Sequence, residues 1–449
     1  MKTCLAVLAV ALSVSSVAAA ASDTDTQPSR GAVESIIKSL DDDTVRALVT
    51  EVLERNPRLA ALRAEAAAAE QKAPQVAALP DPVAALTLYL QTPETRVGPQ
   101  QAMVSLSQRF PWFGTLGLRE QAAVHDALAR ALEVEALRLE LVTETRRLAH
   151  ELAYLGAEAS IVAQERDTLA HFEELARARY ATGVGLGQAV VKIQGEITRA
   201  DTRLLRIAQR RLGLLAELDA LRDRPDRAPG DSFEVPHVHG APLDADALGL
   251  EAAANRPETA AARARIEAAA ARVELARKAY GPDVTAGLTY SLVGRRDDAA
   301  GELNPPEDDG QDVLGVSAAV SLPIWRGKLA AGVEEATETR LAAEQSLRST
   351  IAAIRTTVGD LAARIPLLQE EVELFGSLML PQAEEALDSA LAGYSAGSHG
   401  ALDLLDSERV LLQVRIAEAR ARTDLAIALA LLEGAVARPL EAAENGDRS

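Results

Sequence analysis

Few residues in this sequence have side chains that could catalyse a reaction or bind an ion. Among them, the acidic residues have the most regular spacing. Asp403 and Asp406 lie three residues apart in the segment GALDLLDSER, so a helix would place both carboxylates on one face. By itself this spacing is typical of a solvated helix face. The sequence has no Ser-His-Asp set, no phosphate-binding loop and no zinc motif. We therefore predict that the protein is not an enzyme.

The histidines give only a weak candidate for metal binding. His237 and His239 lie in PHVHG with Glu234 close by, and imidazole and carboxylate groups are ligands for divalent metals. Two histidines in a linker are more often incidental, so we assign neither a metal site nor a cofactor. The one cysteine, Cys4, lies in the N-terminal segment described next. The mature chain would then have no thiol, no disulfide and no soft-metal relay.

The first residues and the overall charge indicate where the protein works. Residues 1–21 have a positive start at Lys2, an apolar middle and small residues at the end, which is the pattern of a secretory signal peptide. No cysteine stands at the cleavage point, which argues against a lipid anchor. No later segment reaches the ~18 uninterrupted apolar residues of a transmembrane helix. The excess of 66 Asp and Glu over 47 Lys and Arg argues against nucleic acid as a partner.

Two pairs of short segments alternate apolar residues with polar or small ones. In the first segment Leu86, Leu88 and Leu90 share one face, and the period of two predicts a β-strand. The predicted strands cover about 83–92, 102–110, 283–293 and 313–322. Each has roughly the length that a tilted strand needs to cross a bilayer. An exported chain with such strands points to the outer membrane.

The remaining sequence is typical of long helices. After PWFG, apolar residues recur every seven positions, at Val134, Leu141, Leu148, Leu155, Val162 and Leu169. Such a stripe predicts left-handed supercoiling against neighbouring helices. A second line at the same period consists of Glu144, Glu151, Glu158 and Glu165. The glycine-rich YATGVGLG then predicts a turn, and a return helix covers about 188–222.

The second half of the chain repeats the signals of the first half. Asn56-Pro57 is echoed before Pro257, PWFG by PIWRG, and the turn motif YATG by YSAG, at nearly constant intervals. This predicts an internal duplication. The predicted organisation is a signal peptide (1–21), a flexible segment (22–43), a first repeat (44–223), a linker (224–243), a second repeat (244–437) and a flexible tail (438–449). Pro366 and Pro381 are expected to kink the second long helix.

Four strands cannot close a barrel, and an open sheet edge in lipid leaves unpaired backbone groups. Protomers are therefore expected to pool strands, to eight in a dimer or twelve in a trimer. An interfacial girdle would be formed by the aromatic residues beside the strands, Phe110, Trp112, Phe113 and Trp325. The alternative is that these aromatics are core residues of a small soluble sheet.

At this point the sequence resembles the TolC-like outer-membrane factors over almost its whole mature length. The resemblance rests on the duplicated unit of helix, strand pair, helix, turn and helix, on YATG and YSAG, and on LDLLDS. It implies a mainly α fold with a four-stranded β contribution, in which duplicated long helical hairpins form an α-barrel and the protomers share a transmembrane β-barrel. The segment QRFPWFGTLGLRE looks most like the branch that serves heavy-metal cation efflux (CzcC- and CusC-like).

The resemblance also implies partners and roles for residues. The family forms homotrimers in outer-membrane lipid and acts as the exit duct for a periplasmic adaptor and an inner-membrane transporter of the resistance-nodulation-division (RND) type. Asp403 and Asp406 match the family's paired aspartates at the periplasmic entrance, while the first repeat has Ala189 there. Tyr394 and His399 fall where the family has a tyrosine and an arginine that tie neighbouring helices. The tips that meet the adaptor would contain Gly183, Gly185, Leu186, Gly397 and Gly400.

Two other functions remain open from the sequence. The duct could belong to drug efflux or type I protein secretion, since the branch signal is weaker than the family signal. The chain could instead be a periplasmic coiled-coil scaffold or adaptor with a small sheet. The strands discriminate between a duct and a scaffold, because an adaptor's sheet would not carry four alternating segments of bilayer length.

Overall fold

The computed structural model describes residues 30–183, 186–224, 233–234 and 243–440 of the 449-residue chain. The first half contains α1 (Arg30–Lys38), α2 (Asp43–Arg55), α3 (Pro57–Glu70), α4 (Lys72–Ala77), β1 (Val83–Leu88), β2 (Glu94–Thr95), β3 (Gly98–Phe110), α5 (Thr115–Ala181) and α6 (Gly187–Leu221). The protein is mostly helical and has one small antiparallel sheet.

The second half follows a similar order of elements, with α9 in the place of β2. It contains α7 (Ala245–Asn255), α8 (Pro257–Lys278), β4 (Val284–Val293), α9 (Ala299–Leu303), β5 (Val313–Val320), α10 (Arg326–Leu374), a π-helical turn (Phe375–Met379), α11 (Leu380–Ala396) and α12 (Ala401–Val436). In the described ranges, no helix is both long enough and apolar enough to cross a membrane.

Similar start signals fix the first helices of both halves. The Asp42 carboxylate accepts a hydrogen bond from the Thr44 N–H (2.8 Å) at the start of α2, and Asp244 does the same at the start of α7. Pro57 and Pro257 then begin α3 and α8, at the position where the missing N–H costs nothing. Local sequence therefore defines the helix boundaries in both halves.

The four long strands form a sheet in the order β1-β3-β4-β5, with every pair antiparallel. The register aligns the apolar residues in rows across the sheet, so that Leu106 of β3 lies opposite Leu288 of β4, and Leu288 opposite Val316 of β5. Polar and small residues form the other face. β1 ends at Leu88, four residues before the predicted end, whereas β3 begins earlier than predicted, at Gly98.

The apolar face of the sheet is uncovered in the protomer. Leu106 is 50% exposed, Leu288 is 47% exposed and Val316 is 86% exposed, which is unusual for large aliphatic residues in register with one another. In the described chain, β1 and β5 each pair with one neighbour only, so both sheet edges are open. In the described protomer, therefore, nothing packs on this apolar face, and β1 and β5 each have one edge without a hydrogen-bonded neighbouring strand.

The loops at the far end of the sheet contact each other. The Gly310 N–H donates to the Val97 carbonyl (2.7 Å), and Arg96 forms a bidentate ion pair with Asp308. The acidic loop between β4 and β5 is thereby attached to the hairpin between β1 and β3. Both loops belong to one structured cap on the sheet.

The segment predicted to be flexible, 22–43, is structured from Arg30 onward, so the prediction is wrong for that part. Val33 and Ile36 of α1 are each only 1% exposed and join the largest apolar cluster, which includes Val142 and Leu148 of α5. The reason is amphipathicity: apolar residues spaced by three and four form one buried stripe in an otherwise polar segment. Residues 22–29 lie outside the described part.

The long helices pack through the seven-residue stripe of α5. All six of its members are buried: Val134, Leu141, Leu148, Leu155, Val162 and Leu169. In the second half, Pro366 lies inside α10, and the π-helical turn lies directly before Pro381. A proline cannot donate to the carbonyl four residues back and clashes with it, which widens the backbone there.

Candidate functional site at the helical turns

The two hairpin turns of the protein lie together. Leu169 and Ile193 of the α5–α6 hairpin pack against Tyr394 and Leu404 of the α11–α12 hairpin in one apolar cluster. The ends of the two hairpins are therefore one unit, and movement of one hairpin must disturb the other. The predicted site residues that the structure describes lie in or beside this unit, apart from the aromatic residues at the sheet.

Tyr394 is buried, at 5% exposure, and its main partner is Arg179 of α5. The guanidinium carbon of Arg179 lies 4.7 Å from the ring centroid, and the guanidinium donates a hydrogen bond to the Tyr394 backbone carbonyl. A cation over an aromatic face contributes about 0.5–2 kcal/mol. Arg179 thus joins the two hairpins. The sequence prediction missed it because the arginine was sought at position 399.

His399 makes its contacts within its own turn. Its ring lies against Gly393, where an added Cβ would come within 1.9 Å of His399 Cδ2. Its Nδ1 lies 3.8 Å from Asp403 Oδ2, and its backbone N–H donates to the Gly393 carbonyl (3.1 Å). His399 therefore stabilises the connection between α11 and α12, while the contact to α5 comes from Arg179.

Asp403 and Asp406 both lie on the exposed side of α12. Their side chains are 62% and 77% exposed. Asp403 also accepts a hydrogen bond from the Gly400 N–H (2.9 Å) and so caps its own helix. Asp406 lies 3.8 Å from the Arg409 guanidinium, a solvent-screened pair. The carboxylates are free to face a solvent-filled space.

The predicted tip residues lie at the turns. Gly183 and Gly397 adopt φ angles of +79° and +83°, a region that disfavours residues with a Cβ. Gly400 precedes α12 as its N-cap, and Leu186 is 75% exposed. Gly185 lies outside the described residues. The described tip positions therefore combine glycines that allow the turns with one exposed apolar residue, Leu186.

The predicted girdle aromatics lie where the sheet joins the long helices. Phe113 is 81% exposed and Trp325 is 74% exposed, and Phe110 is also exposed at the end of β3. Trp112 packs edge-to-face on Phe113 with a centroid distance of 5.5 Å, and its backbone N–H donates to Asp283 Oδ1 (2.9 Å). The hydrogen bond from Trp112 to Asp283 thus fixes the junction between sheet and helices, while the rings of Phe113 and Trp325 are exposed.

Gly281 leaves the space that Trp112 occupies. A Cβ at Gly281 would lie 2.3 Å from the indole ring, so we expect Gly281→Ala to displace Trp112 and to lower the free energy of unfolding by about 1–3 kcal/mol. Tryptophan fluorescence and denaturant unfolding of a Trp325→Phe background would show both effects. The matched control is Gly117→Ala, since nothing lies within 4 Å of a Cβ there. Equal stability of the two variants would contradict the tight junction.

The acidic line of α5 is partnered by arginines at three of its four positions. Glu144 pairs with Arg147 (2.7 Å), Glu151 with Arg420 (2.9 Å) and Glu158 with Arg203 (3.0 Å). The fourth, Glu165, has no such ion pair in the described structure and faces Glu408 of α12 instead. Burial raises the pKa of Glu165 to about 7, and the charge of Glu408 contributes to this rise.

The described residues contain no group of three or more His, Cys, Asp and Glu side chains that could hold a metal ion. His237 and His239 lie outside the described residues.

Comparison with known proteins agrees with this architecture. Residues 248–438 match the family profile described as "Outer membrane efflux protein". No curated protein matches the sequence significantly.

Solved structures share the fold of nearly the whole chain. The outer membrane protein VceC from Vibrio cholerae is 23% identical with a TM-score of 0.73, covering 88% of this chain and 97% of VceC. The MtrE outer membrane channel of Neisseria gonorrhoeae is 20% identical with a TM-score of 0.71, covering 88% and 89%. CusC, a protein that forms a transmembrane channel, is 17% identical with a TM-score of 0.71, covering 88% and 92%. Residues 248–438 therefore match the outer membrane efflux protein family, and the chain as a whole has the fold of these outer-membrane channels.

Proposed function

We propose that the protein is the outer-membrane channel, or exit duct, of a tripartite efflux system and that it works as a homotrimer. The observation that carries this proposal is the uncovered apolar face of a sheet with two open edges. Each unpaired backbone group in lipid costs several kcal/mol, so a lone protomer cannot reside there. Three copies that join β1 to β5 of a neighbour would close a barrel of twelve strands.

The helices extend this barrel as a tube. α5 contains 67 residues, which corresponds to a length of about 100 Å at ~1.5 Å per residue. Its buried stripe and the arginine pairs to α12 hold the helices side by side. The duct would thus run from the sheet to the two hairpin turns, and the proposed repeats, residues 44–223 and 244–437, each supply one hairpin.

The proposed partners follow from the two ends. The aromatic residues at the sheet would contact outer-membrane lipid. The exposed turn with Leu186, Gly183 and Gly397 would meet a periplasmic adaptor, which connects the duct to an RND-type transporter. Tyr394 and His399 would keep the turns closed, with Arg179 as the link between the two hairpins.

For the cargo we propose heavy-metal cations. Support comes from the QRFPWFGTLGLRE segment and from the exposed Asp403 and Asp406, which would form acidic rings at the entrance of a trimer. The similarity to CusC, VceC and MtrE concerns the fold and does not distinguish heavy-metal efflux from drug efflux. Deleting the gene and profiling sensitivity to metals and drugs would separate the two cargo classes.

The channel itself is tested by fractionation, unheated gel electrophoresis and recording in planar bilayers. We expect a trimer in the outer-membrane fraction that conducts ions. A monomer in the soluble periplasmic fraction would eliminate the duct and favour the scaffold alternative.

Replacing both entrance aspartates is expected to lower cation preference. We predict that Asp403→Asn with Asp406→Asn shifts the reversal potential toward zero in a salt gradient. The ring loses its charge, while the amide oxygen introduced at position 403 can still accept from the Gly400 N–H. The control is Asp360→Asn, an exposed acid on α10 paired with Arg364 at 3.5 Å. An unchanged reversal potential in the double variant would remove Asp403 and Asp406 from the entrance.

A further inference from the structure

A small cavity lies between α5, α6 and α12, and Leu169 and Leu405 connect it to the apolar cluster at the hairpin ends. Its volume is about 180 Å³, and charged residues line most of it: Glu165, Glu196, Arg199, Arg203, Glu408 and Arg409. The cavity separates the first hairpin from the second one. Whatever charges it contains therefore act on the contact between the hairpins.

Glu408 is the unusual member of this set. It is only 6% exposed, and its Oε2 atom is buried with no hydrogen-bond partner in the described structure. A buried ionised carboxylate without a partner is strongly disfavoured, and such a group takes up a proton instead. The packing of Glu408 thus requires either a cation or a proton.

The nearby cations are engaged elsewhere. Arg203 of α6 forms its ion pair with Glu158, 3.0 Å away. Arg199 of α6 and Arg409 of α12 both bind Glu196, and Arg409 also faces Asp406. Arg415 of α12 binds Glu384 of α11 at 3.0 Å. The carboxyl groups of Glu165 and Glu408 therefore line the same cavity, and in the described structure neither has an ion pair with an arginine.

The pKa directions agree with this geometry. Burial, together with the charges of Glu408 and Glu196, raises the pKa of Glu165 from 4.5 to about 7, and the charge of Arg203 opposes this rise. Burial also raises the pKa of Glu408, against the opposing charge of Arg415. Loss of water around the charged form is the main cause for both groups, and for Glu165 like charges add to it.

We propose that Glu165 and Glu408 form a pH-sensitive switch that holds the two hairpins together when protonated and separates them when both carboxyl groups ionise. Because the cavity borders the apolar cluster that joins the hairpin ends, the switch would act on the entrance of the duct. In this last respect the inference rests on the proposed function.

The direction of the pH effect follows from the raised pKa. Glu165 is protonated in the packed state up to about pH 7, whereas a solvated Glu165 ionises near its ordinary value of 4.5. The contact is therefore fully stabilised below pH 4.5 and loses this stabilisation as pH rises through 7. Between these values the equilibrium constant for separation rises about tenfold per pH unit.

The test compares the wild-type trimer in detergent with Glu165→Gln, Glu408→Gln and the control Glu144→Gln. Glu144 belongs to the same line of α5 but pairs with Arg147. Infrared difference spectroscopy over a pH titration reports the C=O band of a protonated carboxyl group. Hydrogen exchange reports whether the segments around Glu165 and Glu408 open.

In the wild type and in Glu144→Gln we expect the carboxylic acid band to disappear with a midpoint of about 7, together with a loss of exchange protection. In Glu408→Gln the hairpins should stay protected across the same pH range, because glutamine resembles the protonated acid. A wild type without a protonated carboxyl group at about pH 6, below the raised pKa, would overturn the proposal. An unchanged titration in both Glu165→Gln and Glu408→Gln would also overturn the proposal. Two variants are used so that the test remains possible if one of them does not fold.

The same samples show separately whether the proposed switch and the proposed duct are correct. If the pair titrates as expected in a protein that forms no channel in planar bilayers, the duct fails while the switch stands. If the protein forms channels whose carboxyl groups are all ionised at about pH 6, the switch fails while the duct stands.

Discussion

Val316→Arg is expected to keep the protein out of the outer membrane. Val316 is 86% exposed on the apolar face of β5, in register with Leu288 of β4 and Leu106 of β3. An arginine facing lipid near the bilayer midplane costs about 2–4 kcal/mol, and a trimer incurs this cost three times. We expect the amount of heat-modifiable trimer in outer-membrane fractions to fall at least tenfold, with loss of channel activity.

The neighbouring residue provides the matched control. Ser317 lies one position further along β5, so its side chain points to the opposite face, near Gly287 of β4. Ser317→Arg adds the same side chain to the same strand, and we expect normal insertion with an altered conductance. Normal insertion of Val316→Arg would contradict the assignment of the apolar face to lipid. Failure of Ser317→Arg alone would mean that the two faces are reversed.

Local patterns in the sequence predicted the strands and the long helices well. Alternation places Leu86, Val104 and Leu288 on one face whatever the tertiary structure, and antiparallel pairing then aligns them. The seven-residue stripe of α5 likewise marks its buried side. Turn glycines such as Gly397 are readable because few other residues adopt their backbone angles.

The remaining features depend on which helices meet. α1 is short and polar overall, so only its packing on α5 shows that Val33 and Ile36 are core residues. The sequence showed four glutamates at equal spacing on α5, yet three have arginine partners and Glu165 faces a carboxylate. Arg147 lies three residues beyond Glu144 on the same helix, but Arg420 and Arg203 come from other helices, and no local pattern predicts them.

Arg179 illustrates the same limit at the proposed gate. The sequence directed attention to His399, which is bound within its own turn. The residue that joins the two hairpins is Arg179, in the last turn of α5. There its charge also faces the C-terminal end of the helix dipole. Arg179 belongs to the first hairpin and Tyr394 to the second, so the sequence of the second hairpin alone does not predict their contact.

Arg179→Gln is expected to open the turns. The substitution removes the cation from the face of Tyr394 and removes a charged donor from the Tyr394 carbonyl. Cation–π contacts contribute about 0.5–2 kcal/mol and hydrogen bonds from charged groups about 1.5–3 kcal/mol. Glutamine and water recover part of this, so we expect a loss of about 1–2 kcal/mol per protomer. Three protomers that open together would then raise the open probability by about 10²-fold or more.

Single-channel recording measures this change directly, and Arg177→Gln is the matched control. Arg177 lies two residues earlier on α5, and its exposed side chain pairs with Glu173 of the same helix (2.6 Å). That pair spans one turn of one helix, so its loss should leave the hairpins joined and the closed state unchanged. Tyr394→Leu should open the channel as Arg179→Gln does, because it removes the other half of the contact. Closed channels in both Arg179→Gln and Tyr394→Leu would place the gate elsewhere in the tube.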